Sequence, residues 1–373
     1  MIYKILCDGN LIHNPQSMMD ELALNNIKLN LEINAAGSLS FDMERSHYYY
    51  DSLYLFRSVI DVYRDNECIW RGRIISDSET FTGKKTITCE GALAFLNDIQ
   101  YPGTSTYTRA TISQHLTRLL DAYNTNVDTS KKIYLGNVVT DGTGSTISFE
   151  PYDYMPCMDR LSMILDKAGG YIRIRIENGI CYMDYDYDIP DSQEKTIKFG
   201  VNLLDLKKES KIENFANAVL PLGRTTDEDG LIRMDISNVQ DGRISNTPYT
   251  KSGLYVLDED SIALFGRIER RMVWEEANSP SILVMAACGE LEDITTLPIE
   301  IETSFIDMSY IDPTNTPINL LDYAVVISEN HQYINDEAIP ILAMELDLND
   351  PANNKYTVTT TRDLTLVEYI LRM

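Results

Sequence analysis

The strongest constraint on what this chain can fold into is the order in which its hydrophobic period changes. Apolar residues recur about every two positions, then about every 3.6, then about every two again; the short period marks strands and the long one amphipathic helices. In residues 1–102, Ile27, Leu29, Leu31 and Ile33 alternate with polar neighbours, and Leu39 and Phe41 resume the pattern after Gly37-Ser38. Val59-Ile60-Asp61-Val62-Tyr63 and Cys68-Ile69-Trp70-Arg71-Gly72-Arg73-Ile74 flank the polar tip Arg64-Asp65-Asn66-Glu67, which is a hairpin signature. Thr86-Ile87-Thr88-Cys89 predicts a further strand running into a short apolar helix, Ala92 to Leu96, before Pro102-Gly103 closes the unit.

The long period begins at Thr111-Ile112-Ser113-Gln114, which has capping-box spacing, and Ile112, Leu116, Leu119, Leu120 and Tyr123 then share one helical face. A second helix, from about Met155 to Ala168, ends at Gly169-Gly170, where positive φ is needed. Tyr171 to Glu177 and Ile180 to Met183 alternate on either side of Asn178-Gly179, a pair that adopts a type I′ turn readily. Residues 103–195 therefore predict a small α+β domain. Strands return at Ala218 to Leu222, an acidic turn Asp227-Glu228-Asp229-Gly230 follows, and Ile232, Met234 and Ile236 alternate. A helix is expected from about Pro280 to Leu291, then strands at Ile299 to Phe305, Ala324 to Ile327 and Ile341 to Leu346.

A chain of 373 residues buries roughly three quarters of its unfolded surface and supports several domains. Apolar residues at 44% and charged residues at 24% exclude a disordered chain. No apolar run reaches the roughly 18 residues of a membrane span, and the first residues lack the apolar block of a signal peptide, so no membrane insertion is expected. The formal net charge is −25, which argues against tight binding to nucleic acid, since such binders neutralise phosphates with clustered Lys and Arg. Cys7, Cys68, Cys89, Cys157, Cys181 and Cys288 lie far apart within apolar patterns and read as buried free thiols.

No segment carries the signature of a catalytic, metal or cofactor site. His13, His47, His115 and His331 are scattered, none sits in a zinc-hydrolase motif, and each reads as a surface or edge residue. Nucleophile elbows are absent. Gly142-Thr143-Gly144-Ser145 precedes a strand where a phosphate loop would open a helix, so it reads as a hairpin loop. Asp184, Asp186 and Asp188 imitate the start of a calcium loop, but Ile189 and Lys195 stand where Gly and Glu are needed, so the three aspartates read as one solvated strand face. Tyrosine is abundant, with 23 copies, and Tyr48-Tyr49-Tyr50 with Tyr182, Tyr185 and Tyr187 form either a sugar-binding platform or half-buried strand residues.

Asn214-Phe215-Ala216-Asn217-Ala218-Val219-Leu220-Pro221-Leu222-Gly223 with its acidic turn, and Gly253 to Asp258 followed by Ile262 to Ile268, resemble stretches of the tail-associated proteins of phages of Gram-positive bacteria, the prophage endopeptidase tail family. The resemblance extends through Pro298 to Ile301, Phe305 to Ser309, Asn319 to Val325 and Asp347 to Pro351, with Cys68 to Ile74, Cys89-Glu90-Gly91 and Leu96-Asn97-Asp98 near the start. It covers roughly residues 1–362, and the order and spacing of the motifs carry it. That family in turn resembles the baseplate hub of contractile tails.

The resemblance implies a mainly β, α+β protein with two related antiparallel tube-forming β-barrels, at 1–102 and at 196–237 with 295–362. Between them lies the α+β domain, 103–195, while 238–294 forms an α/β insertion and 363–373 a tail. It implies a homotrimer whose six barrels line a channel, a place at the tail tip or baseplate of a virion assembled in the bacterial cytoplasm, and transient passage of DNA. Implied partners are the distal tail protein, the tail tube, the tape-measure protein and receptor-binding or tip proteins. Three copies would carry a formal charge of −75, three times the −25 of one chain, so DNA should slide through without sticking. The only echo of a repeat in the sequence is Val59-Ile60-Asp61-Val62 against Val325-Val326-Ile327. Members of the family often continue into a coiled coil, a peptidoglycan hydrolase or a receptor-binding region, whereas this sequence stops at Met373, as either a short hub or the N-terminal portion of a longer protein; within it no hydrolytic domain and no enzyme is expected, and no catalytic residue, metal or cofactor. A cell-wall hydrolase and a carbohydrate-binding tail module remain the competing readings.

Overall fold

The alternating segments of the first hundred residues form seven strands: β1 (Tyr3–Cys7), β2 (Asn10–His13), β3 (Asn25–Glu32), β4 (Ser38–Met43), β5 (Val59–Arg64), β6 (Glu67–Glu79) and β7 (Lys85–Gly91). The structure, a computed structural model, describes residues 1–16, 22–102, 107–142, 144, 146–149, 153–189, 194–198, 200–210, 215–225, 232–275, 277–295, 299–312, 314–327 and 338–359. The seven strands pair in the order β3-β4-β7-β6-β5-β1-β2, antiparallel throughout. On β3 to β7, Ile27, Leu29, Leu39, Phe41, Ile60, Val62, Ile74 and Ile87 are buried, each worth about 1.5–3 kcal/mol relative to exposure. The β5–β6 turn forms at the expected polar tip, where Asp65 takes φ 54°.

The middle segment contains β8 (Gln100–Tyr101), β9 (Tyr107–Thr111), α1 (Ile112–Asn124), β10 (Ile133–Val139), β11 (Thr146–Phe149), β12 (Met155–Pro156), α2 (Cys157–Ala168), β13 (Tyr171–Glu177) and β14 (Ile180–Asp186). Thr111 and Gln114 close the expected capping box, and Gly169 ends α2 at φ 69°. Asn178 and Gly179 turn the β13–β14 hairpin at φ 50° and 78°. Leu116, Leu119, Tyr123, Leu161 and Ile164 pack on Ile172, Met183 and Tyr185, and share that core with Leu93, Phe95 and Leu96. The strands on either side of the expected Gly142-Thr143-Gly144-Ser145 hairpin do not pair with each other: β10 pairs with β14 and β11 with β9.

Later strands are β15 (Glu194–Lys198), β16 (Leu203–Ser210), β17 (Ala218–Leu222), β18 (Gly242–Arg243), β19 (Thr250–Ser252), β20 (Tyr255–Leu257), β21 (Glu269–Val273), β22 (Ile299–Phe305), β23 (Tyr323–Ile327), β24 (Ala338–Asp347) and β25 (Lys355–Thr359), with helices α3 (Glu259–Phe265) and α4 (Pro280–Thr295). Six of them pair in the order β16-β22-β25-β24-β23-β15. That is the order of β3-β4-β7-β6-β5-β1, position for position along the chain.

Local irregularities coincide as well. Strand β24 slips register between Ile341 and Ala343 against β25, just as β6 does between Ile74 and Ser76 against β7. The Ile341 carbonyl accepts from the amide of Leu321 at 2.9 Å, and the Ile74 carbonyl from that of Phe56 at 2.7 Å. Leu321 and Phe56 both take the left-handed conformation, at φ 69° and 58°. Just ahead of β23 and β5, Asp322 and Ser58 accept from the amides of Asn319 and Tyr54 through their side chains. The copies differ in that β15 runs parallel to β23, whereas β1 runs antiparallel to β5.

The two runs are joined, because β24 beyond Ala343 leaves β23 and pairs antiparallel with β3. The result is one thirteen-stranded sheet, and no closed barrel is found among the described residues. By its contacts the chain divides into a unit of 1–207, 302–330 and 334–358 and a second unit formed mainly by 208–301.

In the second unit β18-β19-β20-β17-β21 form a five-stranded sheet, on which α4 lays Leu283, Ala287 and Leu291 against Val219 and Val256. Strand β17 thus belongs with the insertion, not with the later strands of the large sheet, where 196–237 was expected. The alternation at Ile232, Met234 and Ile236 makes no strand; only Ile236 is fully buried, and Arg233 bridges Thr225. The acidic turn 227–230 and residues 363–373 lie outside the described residues. No helix among the described residues is long and apolar enough to cross a membrane.

Candidate functional site

The side chains expected to be candidates for chemistry are locked into structural roles. Asp184 and Asp186 do not form a solvated face. They lie 3% and 5% exposed on β14, where two arginines of the neighbouring β13 reach them diagonally. Arg175 donates from Nε to Asp184 at 2.8 Å, and Arg173 from Nε to Asp186 at 3.0 Å. Burial raises the cost of ionising Asp184, but Arg175 and the Asn137 amide, 2.7 Å away, outweigh it and hold its carboxyl below the usual range. Gly136 of β10 makes room for this carboxylate, since a Cβ there would sit 1.9 Å from Asp184 Oδ1. Asp188 instead caps the Ile189 amide. No cluster of three metal-ligating side chains occurs among the described residues.

His13, His47 and His115 are not surface residues; all are buried. His13 Nδ1 accepts from the Leu24 amide at 3.1 Å, and burial, with His47 nearby, lowers its pKa to about 4. His47 contacts the Ile12 carbonyl at 2.8 Å and His115 the Ile147 carbonyl at 3.1 Å. His331 lies outside the described residues. All six cysteines are buried and free. Burial pushes Cys7, Cys68 and Cys181 up to about 12 and Cys157 to about 11, so these thiols stay protonated near neutral pH and are poor nucleophiles.

The tyrosines do not all share one exposed face. Tyr50 is buried beneath the Lys85 ammonium at 3.8 Å, while Tyr48 is exposed. Tyr185 lies in the core, its hydroxyl donating to the Gly169 carbonyl at 3.1 Å, and Tyr182 stacks under Arg175 on the opposite face of β14.

Instead the structure concentrates polar side chains where the first and last parts of the large sheet meet. Arg64 of β5, buried, donates to the Ile318 carbonyl at 3.0 Å and to Asn319 Oδ1 at 2.6 Å. The hydroxyls of Tyr3 and Tyr310 meet at 2.7 Å, and burial raises both pKa values. Lys28 of β3 and Asp347 of β24 form an ion pair at 2.7 Å across the joining ladder. A cavity of about 470 Å³ opens beside this junction, lined by Leu31, Arg64, Trp70, Arg173, Arg175 and Leu346 among others. Around Trp70 the backbone must come very close, because a Cβ on Gly91 would lie 1.7 Å from the Ala36 carbonyl oxygen. Sequence reading missed Arg64 and Tyr310, which only the pairing of distant strands brings into contact.

In the second unit, Asn217 explains one of the sequence motifs. It is fully buried, accepts from the Ile268 amide at 2.7 Å and donates to the Gly266 carbonyl at 2.8 Å. It thereby ties the start of β17 to the Gly266-Arg267-Ile268 turn.

No protein-family model matches the sequence, and no curated protein matches it. Solved structures share the fold end to end. A tail protein from Neisseria meningitidis MC58 aligns with a TM-score of 0.61 at 13% identity, covering 98% of each chain. Prophage tail protein gp18 from Listeria monocytogenes EGD-e aligns at 0.57 and 11% identity, covering 100% of this chain and 98% of that one. The E. coli c3393 protein, a type VI secretion component described as similar to T4 tail proteins gp27 and gp5, aligns at 0.50 and 9%, covering 98% of this chain and 80% of that one. At such identities the likeness is one of fold.

Proposed function

We propose that this chain is a structural hub of a phage or phage-like tail, working by shape and not by catalysis. Three copies form a ring, each contributing two related tube-like sheets. The ring joins the tail tube and distal tail protein to the tip, meets the tape-measure protein, and forms a channel for DNA on ejection. Its place is the virion tail tip or baseplate.

The observation that carries this reading is the repeated strand order within one chain, built on a fold that aligns over nearly the full length of tail proteins. A repeat of two tube-like sheets in each of three subunits presents six similar faces, which suits a ring abutting a six-fold tube. A net charge of −25 per chain gives the ring as a whole little attraction for a polyanion, which suits a conduit. Domain limits in the hub follow the sequence reading at 1–102 and 103–195, with the insertion extended to include β17.

The test is labelling of assembled tails with an antibody to this chain. Gold at one end of the tail, and tails that fail to form when the chain is deleted, are the expected results. Normal tails without the chain would refute the assignment. Release of fragments from purified peptidoglycan by the purified chain would favour the hydrolase reading instead.

A further inference from the structure

Strand edges in this sheet are not equally satisfied, and the repeat shows which ones are incomplete. Within one copy, β24 bonds to β25 along one edge, while its other edge is shared: Ala338 to Pro340 face β23, and Ala343 to Asp347 face β3. Its counterpart β6 bonds to β7 through Gly72 to Glu79, and its other edge faces β5 only as far as Arg73. Ser76 to Glu79, which match the β3-bound part of β24 by the shared register slip, have no strand on that side among the described residues. All four are exposed. The counterpart of β3 is β16, and it ends the sheet, paired with β22 alone among the described strands.

We infer that the Ser76 to Glu79 edge of β6 receives β16 of a second copy of this chain, antiparallel, as β24 receives β3 within one copy. This rests on the ring proposed above and supplies its subunit contact. Unpaired edges template strand addition, and joining unlike edges head to tail generates a ring when the rotation closes. The charges agree: the internal ladder pairs Lys28 with Asp347, while β6 offers Asp77 and Glu79 and β16 carries exposed Lys207. The second copy is the occupant the observations favour, because the template for the contact lies in the same molecule.

The experiment is disulfide cross-linking in tails assembled from the full chain carrying Asp77→Cys together with Leu203→Cys, Leu204→Cys, Asp205→Cys or Lys207→Cys in turn. The six native cysteines are buried and do not compete. Expected is a covalent ladder between copies, strongest for one partner position, whose maximum moves two residues the opposite way along β16 when Glu79→Cys replaces Asp77→Cys. Three results would overturn the inference and leave the hub assignment standing: tails that contain the chain but give no cross-link above single-cysteine controls, a shift in the same direction, or the thiol introduced by Asp77→Cys linked to another tail protein. Tails that lack the unsubstituted chain overturn the assignment itself. A charge swap is independent of cysteine chemistry. Asp77→Lys with Glu79→Lys should cut incorporation at least tenfold, and adding Lys207→Glu should restore it; no loss, or no restoration, counts against the pairing.

Discussion

Replacing Arg64 with Met tests whether the first and last parts of the large sheet are held together as one body. Arg64→Met keeps the apolar stem and removes the guanidinium that reaches Ile318 and Asn319, more than 250 residues away in sequence. The Glu67 contact, at 3.3 Å with a largely exposed carboxylate, contributes little, about 0–1 kcal/mol. The two bonds to the Ile318 carbonyl and Asn319 are charge-assisted and buried, and losing them strands the carbonyl. The relief of desolvating an arginine partly offsets this, which leaves a net cost of about 3 kcal/mol. For a unit of this size that lowers the melting temperature by about 6–12 °C. Calorimetry reads the total, and amide hydrogen exchange reads the place: Leu321 should lose protection while α4 of the second unit keeps its own. A cost below about 0.5 kcal/mol, or loss of protection spread evenly over both units, would refute the idea that Arg64 clamps the junction.

Three further outcomes follow from individual residues. His13 is held near a pKa of about 4 against 6.5 for a free imidazole, so the folded state takes its proton later than the unfolded chain as pH falls. Stability is therefore full above about pH 6.5 and declines by about 3 kcal/mol toward pH 4; urea midpoints across that range should flatten in a His13→Asn variant. Gly91→Ala forces a methyl against the Ala36 carbonyl, which should cost about 2–4 kcal/mol and change the fluorescence of neighbouring Trp70. Asp184→Asn removes the buried partner of Arg175 and should cost about 2–3 kcal/mol by denaturant titration.

What the sequence made legible was local. The capping box at Thr111, the stop at Gly169 and the Asn178-Gly179 turn each depend on a few adjacent residues, and each formed as expected. Pairing between distant strands was not legible, because a period of two says that a segment is a strand and nothing about its neighbour. Thus Ala218 to Leu222 went to the insertion sheet, and β24 bridged to β3. The repeat left only Val59 to Val62 and Val325 to Ile327 as a trace, since the matching features are backbone ones: a register slip, a left-handed residue, a side-chain cap. Phe56 and Leu321 share φ and bond pattern without sharing chemistry. Burial of the histidines and of Asp184 escaped notice for a related reason, as their partners are backbone groups or arginines from other strands.

Direct imaging of the tail tip at side-chain detail bears most on the central claim. Three copies around a channel, with β1–β7 and the set β15, β16 and β22–β25 of each copy alternating as six near-equivalent faces, is the expected picture. A different copy number, or a channel to which only one of the two strand sets contributes, would contradict it.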